Sequence, residues 1–351
     1  MTPLGPSHKY EFGNAFMTSV HSTATATRGK SRSNMAEKPE PKQIDMFVPE
    51  ITSWPLKDDL ASMEVPIFSL SKNVDTEIRV YKRGNRTIRI IPSSAGAATV
   101  FDKDLLLYVV SHIVAAMNEE KPVSRTIKIE SFDFLVGTER GDGANSYENI
   151  LGMLRRLKGT TIETNIPTGS KEQTDGFSLI DTYQVLSQKS RTRKVKDPKD
   201  KTKTKTVDRT SVLSFTVTIS DWLWNGLAAY EVLTLDRRYF SLSKPIERRI
   251  YEVARKHCGT EKATWKINID LLAEKIGFRG ERFKFRSELR AIMESDSLPE
   301  YRIALDTSAN PDDVVFFTKD PARFAKWLMS ARCFDWYNSL EQKDPAAQGS
   351  A

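Results

Sequence analysis

The sequence predicts an α+β chain: two copies of one helix–strand–helix–helix–hairpin unit behind a disordered N-terminal arm. Three observations predict it. Apolar residues recur at helical spacing in three stretches of each half. Short runs with apolar residues at alternate positions lie between and after those stretches. The halves also keep register, since 127 to 267, 129 to 269 and 137 to 277 is one shift of 140 residues, carrying Ile127, Ile129 and Gly137 onto Ile267, Ile269 and Gly277.

In the first copy Asp102 is expected to cap a helix whose inner stripe is Leu106, Val109, Val110, Ile113 and Met117. Ile127 and Ile129 mark a strand, and Ser131 starts a short helix that Gly137 stops. A third helix runs from about Asn145 to Lys158 with Tyr147, Leu151, Leu154 and Leu157 inward, followed by a strand around Ile162. In the second copy Ser243 and Pro245 open a helix that turns Ile246, Ile250 and Val253 inward. Ile267 and Ile269 form the strand, Asp270 caps a helix ending at Gly277, and a further helix carries Phe285, Leu289 and Ile292. Tyr301, Ile303 and Leu305 alternate as a strand that returns through a Pro311 turn to Val315 and Phe317. A helix-turn-helix followed by a β-hairpin is the order of a winged helix, whose last helix is the one offered to the major groove.

The expected organisation is a disordered arm over 1–60, a winged-helix domain over 61–220, a second over 221–335 and a tail over 336–351. The arm is rich in Ser, Thr, Pro and Lys, with few periodic apolar positions. Ahead of the first copy, Arg79-Val80-Tyr81 and Thr87-Ile88-Arg89-Ile90 flank Gly84-Asn85 and predict a β-hairpin.

Composition excludes several classes. No stretch approaches the roughly 18 uninterrupted apolar residues of a membrane span, and the N-terminus lacks a secretory apolar core. Cys258 and Cys333 stand alone, without the spacing of a disulfide framework or structural zinc site, so the expectation is a cytoplasmic protein with reduced cysteines, no metal and no cofactor. A nicking enzyme would gather histidines round a metal beside a nucleophilic tyrosine; His8, His21, His112 and His257 are scattered. No Gly-x-x-x-x-Gly-Lys-Ser/Thr phosphate cradle occurs either, and the chain reads as a non-enzyme.

The formal charge is +7, and its location matters. Between Ser187 and Thr210, ten basic side chains against three acidic ones leave +7, the whole excess of the chain. This segment, with Arg191, Arg193 and Lys194 at its centre, reads as a long basic loop on the first wing that attracts phosphates without reading sequence. In the second copy Arg279, Arg282, Arg286 and Arg290 recur at three- and four-residue steps, with Lys284 among them. On a helix that spacing forms one basic face opposite Phe285, Leu289 and Ile292, and arginine forks suit guanine edges and phosphates alike. The alternative is a solvated face paired with Glu281 and Glu288. The first copy offers Asn145, Asn149, Arg155, Arg156 and Lys158, where Asn can read adenine, although Asn145 serves equally as a helix cap.

In the arm, Gln43-Ile44-Asp45-Met46-Phe47 sits between Pro41 and Pro49 in a polar context. Such a peptide can seat Ile44, Met46 and Phe47 in an apolar pocket while Gln43 fixes register. It resembles the pentapeptide by which bacterial proteins bind the sliding clamp, with Ile and Met in place of the usual two Leu.

From about Val65 to Phe317 the chain resembles the replication initiator protein A family of bacterial plasmids. The resemblance rests on Phe68-Ser69-Leu70-Ser71-Lys72, the hairpin before Ile90-Ile91-Pro92, the run from Leu151 to Thr160, and Leu298-Pro299-Glu300-Tyr301-Arg302-Ile303. It implies binding to repeated double-stranded origin DNA, melting of an adjacent segment with a host initiator, loading of the replicative helicase and control of copy number. A homodimer is among the expected assemblies. The rival from the same architecture is a winged-helix transcription repressor.

Overall fold

The computed structural model describes residues 55–59, 62–63, 65–83, 86–141, 144–168, 171–196, 204–259 and 262–341. The segment Gln43 to Phe47 lies outside them.

A strand lies inside the arm expected over 1–60. Strand β1 (Leu56–Asp59) pairs antiparallel with β9 (Val232–Leu235), a strand between the two repeats, and Leu56 and Asp58 are buried. A four-residue strand with two acidic residues carries little hydrophobic periodicity, so composition alone does not reveal it.

The turn before helix α1 (Lys103–Asn118) is fixed by Asp102, whose carboxylate accepts the Thr99 N–H at 2.8 Å. Helix α1 is buried on nearly every side rather than along one stripe. The reason is its position: Leu106 and Val110 belong to the first repeat's core, whereas Leu107 belongs to the second's. After β4 (Thr126–Glu130) come α2 (Ser131–Gly137) and α3 (Ala144–Gly159). The core stripe of α3 is Ile150, Met153, Leu154 and Leu157, rotated from the expected one, with Tyr147 and Leu151 half-buried at its edge.

The strand at Ile162 does not pair with β4. β5 (Thr161–Thr168) and β6 (Lys171–Ser178) form a hairpin that extends β2 (Arg79–Arg83) and β3 (Arg86–Ile91) into an antiparallel sheet of order β2-β3-β5-β6. The hairpin pairing with β4 is the next one, β7 (Ile180–Lys196) with β8 (Thr204–Ile219), in the order β4-β8-β7. Most of the basic segment expected as a loop at 187–210 is therefore strand, with Lys189 opposite Thr210 and Lys196 opposite Thr204. Thr192, Val195, Thr204, Thr206 and Val207 interleave the basic residues with β-branched ones, which favour a paired, pleated backbone. Register shifts at Leu186/Ser187 and Ser190/Arg193 interrupt the ladder.

After α4 (Asp221–Ala228) and β9, the second repeat runs α5 (Pro245–Cys258), β10 (Thr264–Asn268), α6 (Ile269–Ile276), α7 (Arg282–Ser295), β11 (Tyr301–Asp306) and β12 (Asp313–Thr318). Its sheet order, β10-β12-β11, repeats that of the first. Ile269 opens α6 instead of ending the strand, and the cap is Asn268, whose side chain accepts the Asp270 N–H at 3.0 Å. Gly277 ends α6 with φ 77°, and a Cβ there would lie 2.8 Å from Pro66 of the first repeat. Gly137 lacks that role, because it is the last residue of α2 and Glu139 takes the left-handed backbone.

The outer face of the second hairpin is covered by α8 (Pro321–Ala331) and α9 (Phe334–Ser339). Phe317 packs against Phe324, Trp327 and Tyr337, and Glu341 bridges to Leu305. Ordered packing thus continues past residue 335, where the second domain was expected to end.

The repeats meet through charge. Lys103 of α1 bonds Asp58 at 2.7 Å and Glu252 of α5 at 3.0 Å, and Tyr239 donates to Glu252 at 2.7 Å. Arg248 bonds Asp104 and stacks over Phe101, while Arg249 donates to Glu252 and to the Ser62 and Met63 carbonyls. Burial, opposed by the Lys103 charge, pushes Asp58 up to about 8.

Candidate nucleic-acid interface

Helix α7 follows α6 after a connection over 277–281, and its inner residues Phe285, Leu289 and Ile292 bury into the second core. That packing fixes which side faces out. Arg282, Lys284 and Arg290 are exposed and Arg286 is half-buried. Arg279 is not on the helix; it lies in the loop before it.

Each arginine of the series meets a carboxylate, and none of these is Glu281 or Glu288. Arg279 reaches across to the first repeat, bonding Asp75 at 2.6 Å and Glu77 at 2.5 Å. Burial works against it, yet the Ser69 hydroxyl and Arg279 hold Asp75 below the usual carboxylate range. Arg282 forks onto Asp270 at 2.6 and 2.5 Å. Arg290 forks onto Glu341 at 2.5 and 3.0 Å, which holds that carboxyl low. Arg286 pairs with Asp312, whose side chain is 9% exposed and whose carbonyl also accepts the Ile269 N–H. Lys284 lies beside the Phe283 ring, 5.6 Å from its centroid.

These pairs divide the series by energetics. Exposed ion pairs contribute about 0–1 kcal/mol, so phosphate oxygens can exchange with the carboxylates on Arg282 and Arg290 at small cost. Arg279 and Arg286 are different, because each is paired with a nearly buried carboxylate, Asp75 and Asp312, that its loss would strand.

In the first repeat, Asn145, Asn149, Arg155 and Lys158 are exposed on α3. Asn145 lies inside the helix, past its first residue Ala144. Arg156 forks onto Asp102 at 2.7 and 2.6 Å, tying α3 to the start of α1. That contact gives it a packing task the sequence did not reveal. Arg191, Arg193 and Lys194 fall on β7. The outward Phe283, 65% exposed, was missed because reasoning from charge passes over an aromatic between two cations.

With that geometry in place, comparison with known proteins assigns the class. The model for the family described as Replication initiator protein A matches residues 57–303. The chain belongs to that family and is a replication initiator. It is 34% identical over 265 residues to a Wigglesworthia glossinidia brevipalpis protein named "Putative replication protein", covering 75% of this chain and 88% of that one. Its fold is similar to the crystal structure of domains 2 and 3 of RctB, with a TM-score of 0.53, 11% identity, and coverage of 74% of this chain and 96% of that one. Among the described residues, no helix is long and apolar enough to cross a membrane.

Proposed function

We propose that the chain acts without catalysis of its own, binding double-stranded origin DNA by sequence through two winged helices and gathering host replication factors there. The observation that carries this reading is the repetition. Two units with the same sheet order each turn one helix outward with arginine or amide side chains, α3 with Asn145, Asn149 and Arg155, α7 with Arg282 and Arg290. A domain boundary near 220 separates them in this reading. Two reading heads on one chain suit repeated or bipartite sites.

The basic ribbon β7–β8 supplies phosphate attraction, and the peptide Gln43 to Phe47 recruits the sliding clamp. The host initiator and the replicative helicase are the further partners of the reading, a cytoplasmic, plasmid-borne role with copy-number control its setting. Selection of duplexes from a random pool by the full chain tests DNA reading, and a consensus sequence is the expected result. A pull-down with purified clamp, lost in a Gln43→Ala/Phe47→Ala variant that still binds DNA, tests recruitment; retention in that variant removes the clamp as a partner.

A further inference from the structure

We infer that Phe283 is a specificity-determining residue that reads the C5-methyl group of thymine in the major groove; the inference rests on the proposed DNA-reading role of α7. The ring is at the second position of α7 and is 65% exposed. It is not part of the fold's packing, which uses Phe285, at the opposite side of the helix, against Phe278 with ring centroids 5.0 Å apart. At 100° per residue, Phe283 and Arg290 are seven positions apart and fall within about 20° of one line along the helix. Ser287, exposed between them, lies on the same side of the helix, about 40° from Phe283.

Single exposed apolar side chains are common on protein surfaces; what sets this ring apart is its place among Arg282, Lys284 and Arg290 on one helix. A protein partner that buried it would also have to desolvate Arg282, Lys284 and Arg290 around it, which favours a polyanion as the occupant. Residues at the start of a recognition helix are those that meet base edges. Among the four bases, only thymine presents an apolar group in the major groove, and Phe is one of the side chains that contact it. The flanking cations then hold phosphates on either side of the contacted step.

The test uses the full chain and the duplex it selects from a random pool, made with thymine or with deoxyuridine, which lacks the methyl. The wild type is expected to bind the deoxyuridine duplex roughly fourfold more weakly for each contacted methyl, the effect of one buried CH₂-sized group. Phe283→Ala is expected to bind the thymine duplex about tenfold more weakly and to be indifferent to the replacement. Its thermal midpoint should match the wild type closely, because the ring is 65% exposed and lies outside the second core. Phe283→Ala with wild-type affinity, or with the wild-type response to deoxyuridine, overturns the inference. So does a tenfold loss in a wild-type background that ignores deoxyuridine, which would mean the ring stacks on a base instead. If Arg282→Ala and Arg290→Ala weaken binding while Phe283→Ala does not, the reading of α7 stands and only the thymine contact falls. If all three are silent, α7 is not a reading helix and the inference falls with it.

Discussion

Lys103 and Glu252, on the corresponding helices α1 and α5 of the two repeats, meet at 3.0 Å with both side chains 1% exposed. Neither charge has water to fall back on. The joint is completed by Asp58 and Arg249, so the two repeats share one buried ionic cluster rather than a flexible hinge. Removing one member of such a cluster leaves charge buried without compensation. Lys103→Met should lower unfolding stability by about 3–5 kcal/mol in urea titration. The wild type should unfold in one transition covering both repeats. A loss below about 1 kcal/mol, or two separate wild-type transitions, would show that the joint is not structural.

Arg282 and Arg286 are one helical turn apart yet should separate folding from binding. Arg286→Ala leaves the Asp312 carboxylate, its side chain 9% exposed, without its partner and should cost about 1–3 kcal/mol of stability. Arg282→Ala should change stability by under about 0.5 kcal/mol, since its pair with Asp270 is exposed on both sides, while weakening specific DNA binding by about 1–3 kcal/mol. Melting curves beside gel shifts distinguish them, and equal effects of the two variants on both readouts would contradict the division.

Burial lowers His112, on α1, to about 4 from an ordinary value of 6.5. Between those values the unfolded chain binds a proton that the folded chain does not, so stability rises with pH across that window and falls as the medium is acidified through it. The slope is about 1.4 kcal/mol per pH unit inside the window. Asp58, pushed up to about 8, acts with the opposite sign over the same range, so the comparison carries the test: in urea titrations, going from pH 7.5 to 5.5 should cost the wild type about 1.4 kcal/mol more than it costs His112→Gln. An unchanged difference in that variant would assign the acid sensitivity to other groups.

The ribbon β7–β8 concentrates the chain's net positive charge. Deleting its outer part, from Lys189 to Arg209, should flatten the dependence of DNA affinity on salt and leave the selected sequence the same, because phosphate contacts release counterions without reading bases. A changed consensus with an unchanged salt slope would make the ribbon a reader.

Much of this architecture was legible in the sequence because local rules and burial agreed there. The repeated helix–strand–helix–helix order, the Gly277 stop and the Tyr301–Phe317 hairpin follow from apolar spacing and turn residues. What escaped was set by contacts distant in the chain. Helix α1 looked amphipathic, yet a second core covers its other side. Nothing in their spacing marks Arg248, Arg249 and Glu252 as buried, yet contacts with Asp104, Lys103 and the Ser62 carbonyl cover them. Arg156 looked like a DNA contact and is held by Asp102, while the carboxylates on Arg282 and Arg290 come from 12 and 51 residues away. Charge spacing identifies a basic face, but not the acidic groups that the fold brings to it.

The central claim is that one chain reads duplex DNA with two equivalent helices, and methylation interference at guanine N7 on the selected duplex tests it most directly, because N7 lies in the major groove. The account predicts two separate clusters of interfering guanines, one erased by Arg282→Ala/Arg290→Ala and the other by Asn149→Ala/Arg155→Ala. No interfering guanine, or a single cluster that persists in both variants, would contradict it.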